Sequence, residues 1–132
     1  MKKYFTKDEV DALVPRLTET MHAIMDAHTE VRALEADLEA EQQRISTSGG
    51  GTIDRQAWRR ARAAIGRRTE EIERGVRAIA ALGGVPKDLS IGLVDFPGLR
   101  NGKDVNLCWR YGETSIEHWH GLDEGYASRK PL

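Results

Sequence analysis

The sequence has a single cysteine, Cys108, so no disulfide can form within the chain, and a lone thiol fits a reducing cytoplasm. No run approaches the roughly 18 apolar residues a membrane helix needs. The opening MKKYFTKDEV has two lysines but no apolar stretch behind them, so no signal peptide is expected. An excess of one charge is also missing: the net charge is −1, and no whole-chain field draws the protein to nucleic acid or membrane. Neither His-Glu-x-x-His nor Cys-x-x-Cys occurs, which removes the strongest zinc signatures. The glycines at 49–51 are not followed by Gly-Lys-Ser/Thr, and no apolar strand precedes them, so they read as a hairpin tip and not a phosphate loop.

The chain does have charge of both signs (31%) with few aromatics (6%), a composition suited to long solvated helices. Its 132 residues suffice for one domain. Residues 6–45 read as a helix opened by a Thr6/Glu9 capping box. Val10, Leu17, Ile24, Val31, Leu38 and Ile45 recur every seven residues, with Leu13, Ala27 and Leu34 on the companion seam. Pro15 removes an amide and crowds the preceding turn, so a kink, or a short first helix ending near Leu13, is expected. STSGGGT, residues 46–52, is the connector. Residues 54–82 form a second helix with Trp58, Ile65, Ile72 and Ile79 in register, stopped by Gly83-Gly84 and Pro86.

The two helices differ in charge. Residues 7–44 hold ten Asp and Glu against four Lys and Arg; residues 54–82 hold eight Arg against four acids. An acidic helix joined by a short loop to a basic one pairs with it antiparallel, and the arginine runs are then locally neutralised and need no nucleic acid. Val14, Met21 and His28 widen the apolar stripe of the first helix, as Val76 and Leu82 do that of the second. A bare hairpin buries little, so a second copy is expected to pack on this stripe, giving a homodimeric four-helix arrangement; the alternative is that the chain's own sheet covers it. His22 and His28 read as interface or solvated positions.

After Gly84 the period becomes two. Leu89-Ile91-Leu93, Val105-Leu107-Trp109-Tyr111 and Ile116-His118-His120 each alternate, with turn residues at Asn101-Gly102 and Gly112-Glu113. Three short antiparallel strands are expected, followed by an extended tail. Leu107 and Trp109 should face the helices, and Asn106, Cys108 and Arg110 the other side. If Ile116 points inward, His118 and His120 should run from the core toward its rim.

The densest chemistry lies in ETSIEHWHGLDEG, 113–125. His118 and His120, two apart on a strand, project to one side and with Asp123 form a candidate metal set of zinc-like type; Glu113 or Cys108 offers another ligand. Asp95, Glu113 and His120 are the candidate catalytic residues for acid–base chemistry, with Arg110 and Arg129 as candidate anion-binding groups. Cys108, between Leu107 and Trp109, reads as packing more readily than as a nucleophile. A polar network that ties down the tail and sheet accounts for all of these residues without a ligand or cofactor.

The segments Gly92-Leu93-Val94-Asp95-Phe96, Leu107-Cys108-Trp109, Gly112-Glu113, Trp119-His120 and Arg129, with FTKDEVDALVPRL at the start, resemble the DUF2203 family of bacterial and archaeal proteins over essentially the whole chain. The family is named as a domain of unknown function, so the resemblance supports the fold and singles out positions but implies no activity. It also implies a Trp-His pair matching Trp119-His120, with the histidine at 118 less widely shared.

The expectation is therefore an α+β fold: a long antiparallel two-helix, coiled-coil-like hairpin (residues 1–84, helices 6–45 and 54–82) followed by a small three-stranded antiparallel sheet with an extended tail (residues 85–132). The expected function is a non-enzymatic, homo-oligomeric, cytoplasmic interaction module that receives a protein partner and touches neither membrane nor nucleic acid. The alternative is a small metal-dependent or acid–base enzyme, hydrolase-like, using the His/Asp/Glu cluster.

Overall fold

The computed structural model describes residues 3–47 and 54–132; most of the glycine-rich connector lies outside them. Two helices, α1 (Lys7–Thr47) and α2 (Arg55–Leu82), are followed by five strands: β1 (Val85–Asp88), β2 (Leu93–Arg100), β3 (Lys103–Arg110), β4 (His118–Gly121) and β5 (Lys130–Pro131). The strands pair in chain order, all antiparallel.

Helix α1 begins at the capping box. Glu9 N–H donates to Thr6 Oγ1 and Thr6 N–H to Glu9 Oε1, each at 3.1 Å. Just before it, Phe5 is buried, meets Phe96 edge-on at 5.2 Å, and donates its N–H to Pro97 O. The break expected at Pro15 does not occur: α1 runs through it as one 41-residue helix. Proline inside a helix costs about 3 kcal/mol. Val10, Val14 and Leu17, buried on both sides of it, offset that cost by holding the helix on the core. Asp54 caps α2 through the amides of Gln56 and Ala57, and Gly83, at φ 100°, closes it.

The helices run antiparallel. Gly75 lies against Ile24, Arg68 meets Glu30 at 2.7 Å, and Leu38 and Trp58 line one groove. Among the described residues that Arg68–Glu30 contact is the one ion pair between the helices, so the mutual neutralisation expected from the sequence is mostly unrealised. A Cβ on Gly75 would sit 2.4 Å from Ile24 Cγ1; the small residue lets the helix axes approach.

The sheet has five strands, not three. β1 uses Val85–Asp88, which alternates too weakly to be read as a strand, and β5 is two residues of the tail. Leu89 and Ile91 fall in the turn before β2, so their alternation with Leu93 is not strand pairing. The β2–β3 hairpin turns at Asn101 (φ 52°) and Gly102 (φ 77°), the left-handed pair that a two-residue hairpin requires. Val94, Phe96, Val105, Leu107 and Trp109 pack with Ile116 onto Val10, Val14, Leu17, Met21, Ile24 and Ile79. The stripe through Val14 and Met21 is thus covered by the chain's own sheet, not by a second copy. The sheet sits on the N-terminal part of α1 and the C-terminal part of α2. Beyond Val31 on α1 and before Ile79 on α2, no described helical residue is fully buried.

Two comparisons test this packing. Gly75→Ala should destabilise by about 1–3 kcal/mol through the clash with Ile24. Gly66→Ala, where a Cβ would meet nothing within 4 Å, should stabilise by up to about 1 kcal/mol through helix propensity. Urea unfolding of both variants checks the opposite signs. The second test concerns Asp11, which accepts from Ile116 N–H at 2.6 Å and from Lys7 Nζ at 2.7 Å, joining α1 to the loop before β4. Burial raises its carboxyl pKa, but the Lys7 and Ile116 hydrogen bonds outweigh this and hold it below the usual value. A lowered folded-state pKa stabilises above the unfolded carboxylate value of about 3.9, and the gain is lost as pH falls through the folded value. Asp11→Ala should therefore cost about 1.5–3 kcal/mol at neutral pH, with the gap to wild type closing toward pH of about 2. A gap independent of pH contradicts the assignment.

Candidate functional site

Period-two alternation puts Leu107 and Trp109 on the core face and Asn106, Cys108 and Arg110 on the outer face of β3, as the sequence suggests. Register does the rest. Asp95 of β2 is the direct partner of Cys108; His118 and His120 of β4 stand opposite Cys108 and Asn106. Ile116 precedes the strand and turns inward to the core, whereas both histidines lie on the outer face. The expected shared face of Ile116, His118 and His120 is therefore broken, because β4 begins only at His118.

Outer-face residues of a small sheet normally meet solvent, yet Asp95, Cys108 and His120 are 4%, 1% and 3% exposed. The tail covers them. Asp95, Cys108, His120, Leu122, Glu124 and Tyr126 are among the residues lining a cavity of about 150 Å³. His120 Nε2 lies 3.0 Å from Asp95 Oδ1, and its Nδ1 lies 2.9 Å from Gly121 O. A carbonyl oxygen only accepts, so Nδ1 carries the hydrogen and Nε2 is left facing Asp95. Burial pushes the Cys108 thiol up to about 11; Asp95 adds to this and nearby Arg129 opposes it. A neutral, enclosed thiol is not an activated nucleophile.

A second polar group fastens the cover. Glu113 accepts from Arg110 N–H at 2.6 Å and from Arg129 Nη1 at 3.2 Å, with Arg129 Nη2 paired to its Oε2 at 3.2 Å, and its backbone oxygen accepts from Trp109 Nε1 at 3.0 Å. Burial works against the charge on Arg129, but Glu113 outweighs it and holds the guanidinium pKa above its usual value. Arg110 donates to Tyr126 Oη at 2.7 Å, and Arg129 lies over the Tyr126 ring. Both candidate anion-binding arginines are thereby engaged within the chain. Lys130 and Arg100 flank the Trp119 ring, and Leu132 N–H donates to Glu117 O.

Of the residues singled out from the sequence, Asp95 and His120 come together, joined by Cys108. Glu113 sits in the tail anchor, with His118 Nδ1 3.5 Å from its Oε2. Asp123 is exposed on the covering loop, so His118, His120 and Asp123 do not form one cluster. Sequence reasoning missed Tyr126, which sits between Arg110 of β3 and Arg129 of the tail; an aromatic in a Gly/Asp/Ser-rich tail was the signal available. On the helices, His22 reaches Tyr111 Oη at 3.0 Å while remaining exposed.

A family model described as "Uncharacterized conserved protein (DUF2203)" matches residues 3–132. No curated protein and no solved structure matches the chain. No described helix is long and apolar enough to cross a membrane.

Glu113→Gln keeps the shape of the anchor but removes its charge. Amide exchange at Arg129, Lys130 and Leu132 should accelerate about tenfold or more, with exchange in β2 and β3 unchanged. Unchanged exchange in the tail would show that the anchor does not hold it.

Proposed function

Because the chain belongs to this DUF2203 family, whose description assigns no activity, we propose a function from geometry alone: a homo-oligomeric interaction module whose protruding helical hairpin binds a second copy. The observation that carries it is the outer half of the hairpin. Leu34, Leu38, Ile45, Trp58 and Ile65 continue the seven-residue pattern past the sheet, where each stays only half-buried. Around them the charges separate by helix. Glu35, Asp37 and Glu39 are exposed on α1, and Arg55, Arg59, Arg60, Arg62 and Arg67 on α2. A second copy supplies the complement to both faces at once, α1 of each against α2 of the other, in a self-complementary two-fold contact. A buried free thiol fits the cytoplasm as the place of work.

An acid–base enzyme is the second reading. It is favoured by the Asp95–His120 pair bordering the cavity, which would admit only a small substrate.

Sedimentation equilibrium tests the first reading. A dimer at micromolar concentration, weakened by salt and about tenfold or more by Arg59→Glu with Arg62→Glu, is the expected result. A monomer up to about 100 μM sinks it, and salt-sensitive binding of the monomer to nucleic acid would redirect the arginine face to that partner.

A further inference from the structure

We propose that Asp95, Cys108 and His120 form a binding site for a zinc-type divalent transition-metal ion, with the metal's fourth position open to the cavity beneath the tail. The site stands apart from the hairpin and holds whether or not two copies associate.

The donor atoms are already gathered. One ligand atom from each residue lies within 4.8 Å of the others, and all three residues are buried. Among the described residues, no other group of three or more His, Cys, Asp and Glu comes together this way. A tetrahedral zinc with nitrogen and oxygen at about 2.0–2.1 Å and sulfur at about 2.3 Å requires donors roughly 3.3–3.6 Å apart. His120 Nε2 and Asp95 Oδ1, at 3.0 Å, need to open slightly, and the sulfur needs at most a side-chain adjustment of about 1 Å to close on them.

The second observation is the support around the histidine. A metal-ligating imidazole usually donates its other N–H to a backbone carbonyl or carboxylate, which sets the tautomer and aims the lone pair. His120 Nδ1 does this to Gly121 O at 2.9 Å, leaving Nε2 directed at Asp95. With Nδ1 holding the hydrogen, the Nε2 lone pair and the Asp95 carboxylate oxygen face one another at 3.0 Å, and a cation between them satisfies both.

The third is the balance of charge. Asp95 as carboxylate and Cys108 as thiolate compensate a divalent ion, with His120 neutral. Arg129, beside Cys108, is already matched by Glu113. A loaded site therefore adds no net charge to a buried region, the condition under which burying ions is tolerable. Thiolate plus imidazole plus one carboxylate selects zinc, cobalt or a similar ion over magnesium and calcium, which require oxygen ligands. Three protein ligands and an accessible fourth position match the open zinc sites, and a 150 Å³ cavity has room for water or a small anion there.

Cobalt(II) is the probe, added to the full-length protein without a histidine tag. The wild type should take up one equivalent with a thiolate-to-cobalt charge-transfer band, and zinc should displace it. Cys108→Ala should lose the band, and Asp95→Asn should bind about tenfold or more weakly. His118→Ala, outside the cluster, should keep band and affinity. Circular dichroism of each variant establishes that it is folded; should Cys108→Ala unfold, Cys108→Ser replaces it and must likewise lose the sulfur band. No cobalt uptake by folded wild type, a band that survives removal of Cys108, or a band that requires His118 would each overturn the proposal.

Discussion

Everything in this molecule is positioned by the contact between the inner face of the sheet and the base of the helical hairpin. Val94, Phe96, Val105, Leu107 and Trp109 meet Val10, Val14, Leu17, Met21, Ile24 and Ile79, and most of these side chains are shut off from solvent. Fully burying one such side chain is worth about 1.5–3 kcal/mol, so together these outweigh any ion pair on the surface. The same contact carries α1 through Pro15. A helix pinned by Val10, Val14 and Leu17 on either side loses one backbone hydrogen bond there without losing its direction.

Fixing the inner face also fixes the outer one. In a strand, neighbouring side chains point oppositely, so once Leu107 and Trp109 are committed to the core, Cys108 must project away from it. Pairing with β2 and β4 then brings Asp95 and His120 beside it. These groups would ordinarily be wet. They are dry because the tail returns over them, held by Glu113 to Arg129 and by Tyr126 between two arginines. A polar sheet face thus becomes an enclosed cavity through a covering segment that has almost no core of its own. The cover is charge-fastened, while the floor is apolar and rigid.

The hairpin divides along its length for the same reason. Where the sheet reaches, helix residues are buried; past Val31 the identical seven-residue pattern continues with only a partner helix to lie against. Two helices alone leave each stripe open on one flank, and their charges, which meet in a single Glu30–Arg68 contact among the described residues, remain turned outward.

The two helices, the Thr6/Glu9 capping box and the Gly83 stop, the antiparallel pairing, the Asn101-Gly102 turn and the core face of β3 were legible from residue order, because heptads, capping boxes, turn residues and strand alternation are local and periodic signals; the Asp54 cap and the passage of α1 through Pro15 were not. Asp95 and His120 were legible as candidates by residue type. Their joining with Cys108 was not, because it depends on register between three strands, and one residue of slip would have turned each side chain to the other face. The parting of Ile116 from the face of His118 and His120, the two additional strands and the burial of an outer face by the tail were equally hidden, since each rests on contacts between segments distant in the chain. The sequence by itself determined which surfaces are apolar and which are charged. Only the tertiary structure decided which charged and polar groups are dry, because desolvation is set by what packs across a residue and not by its neighbours along the backbone.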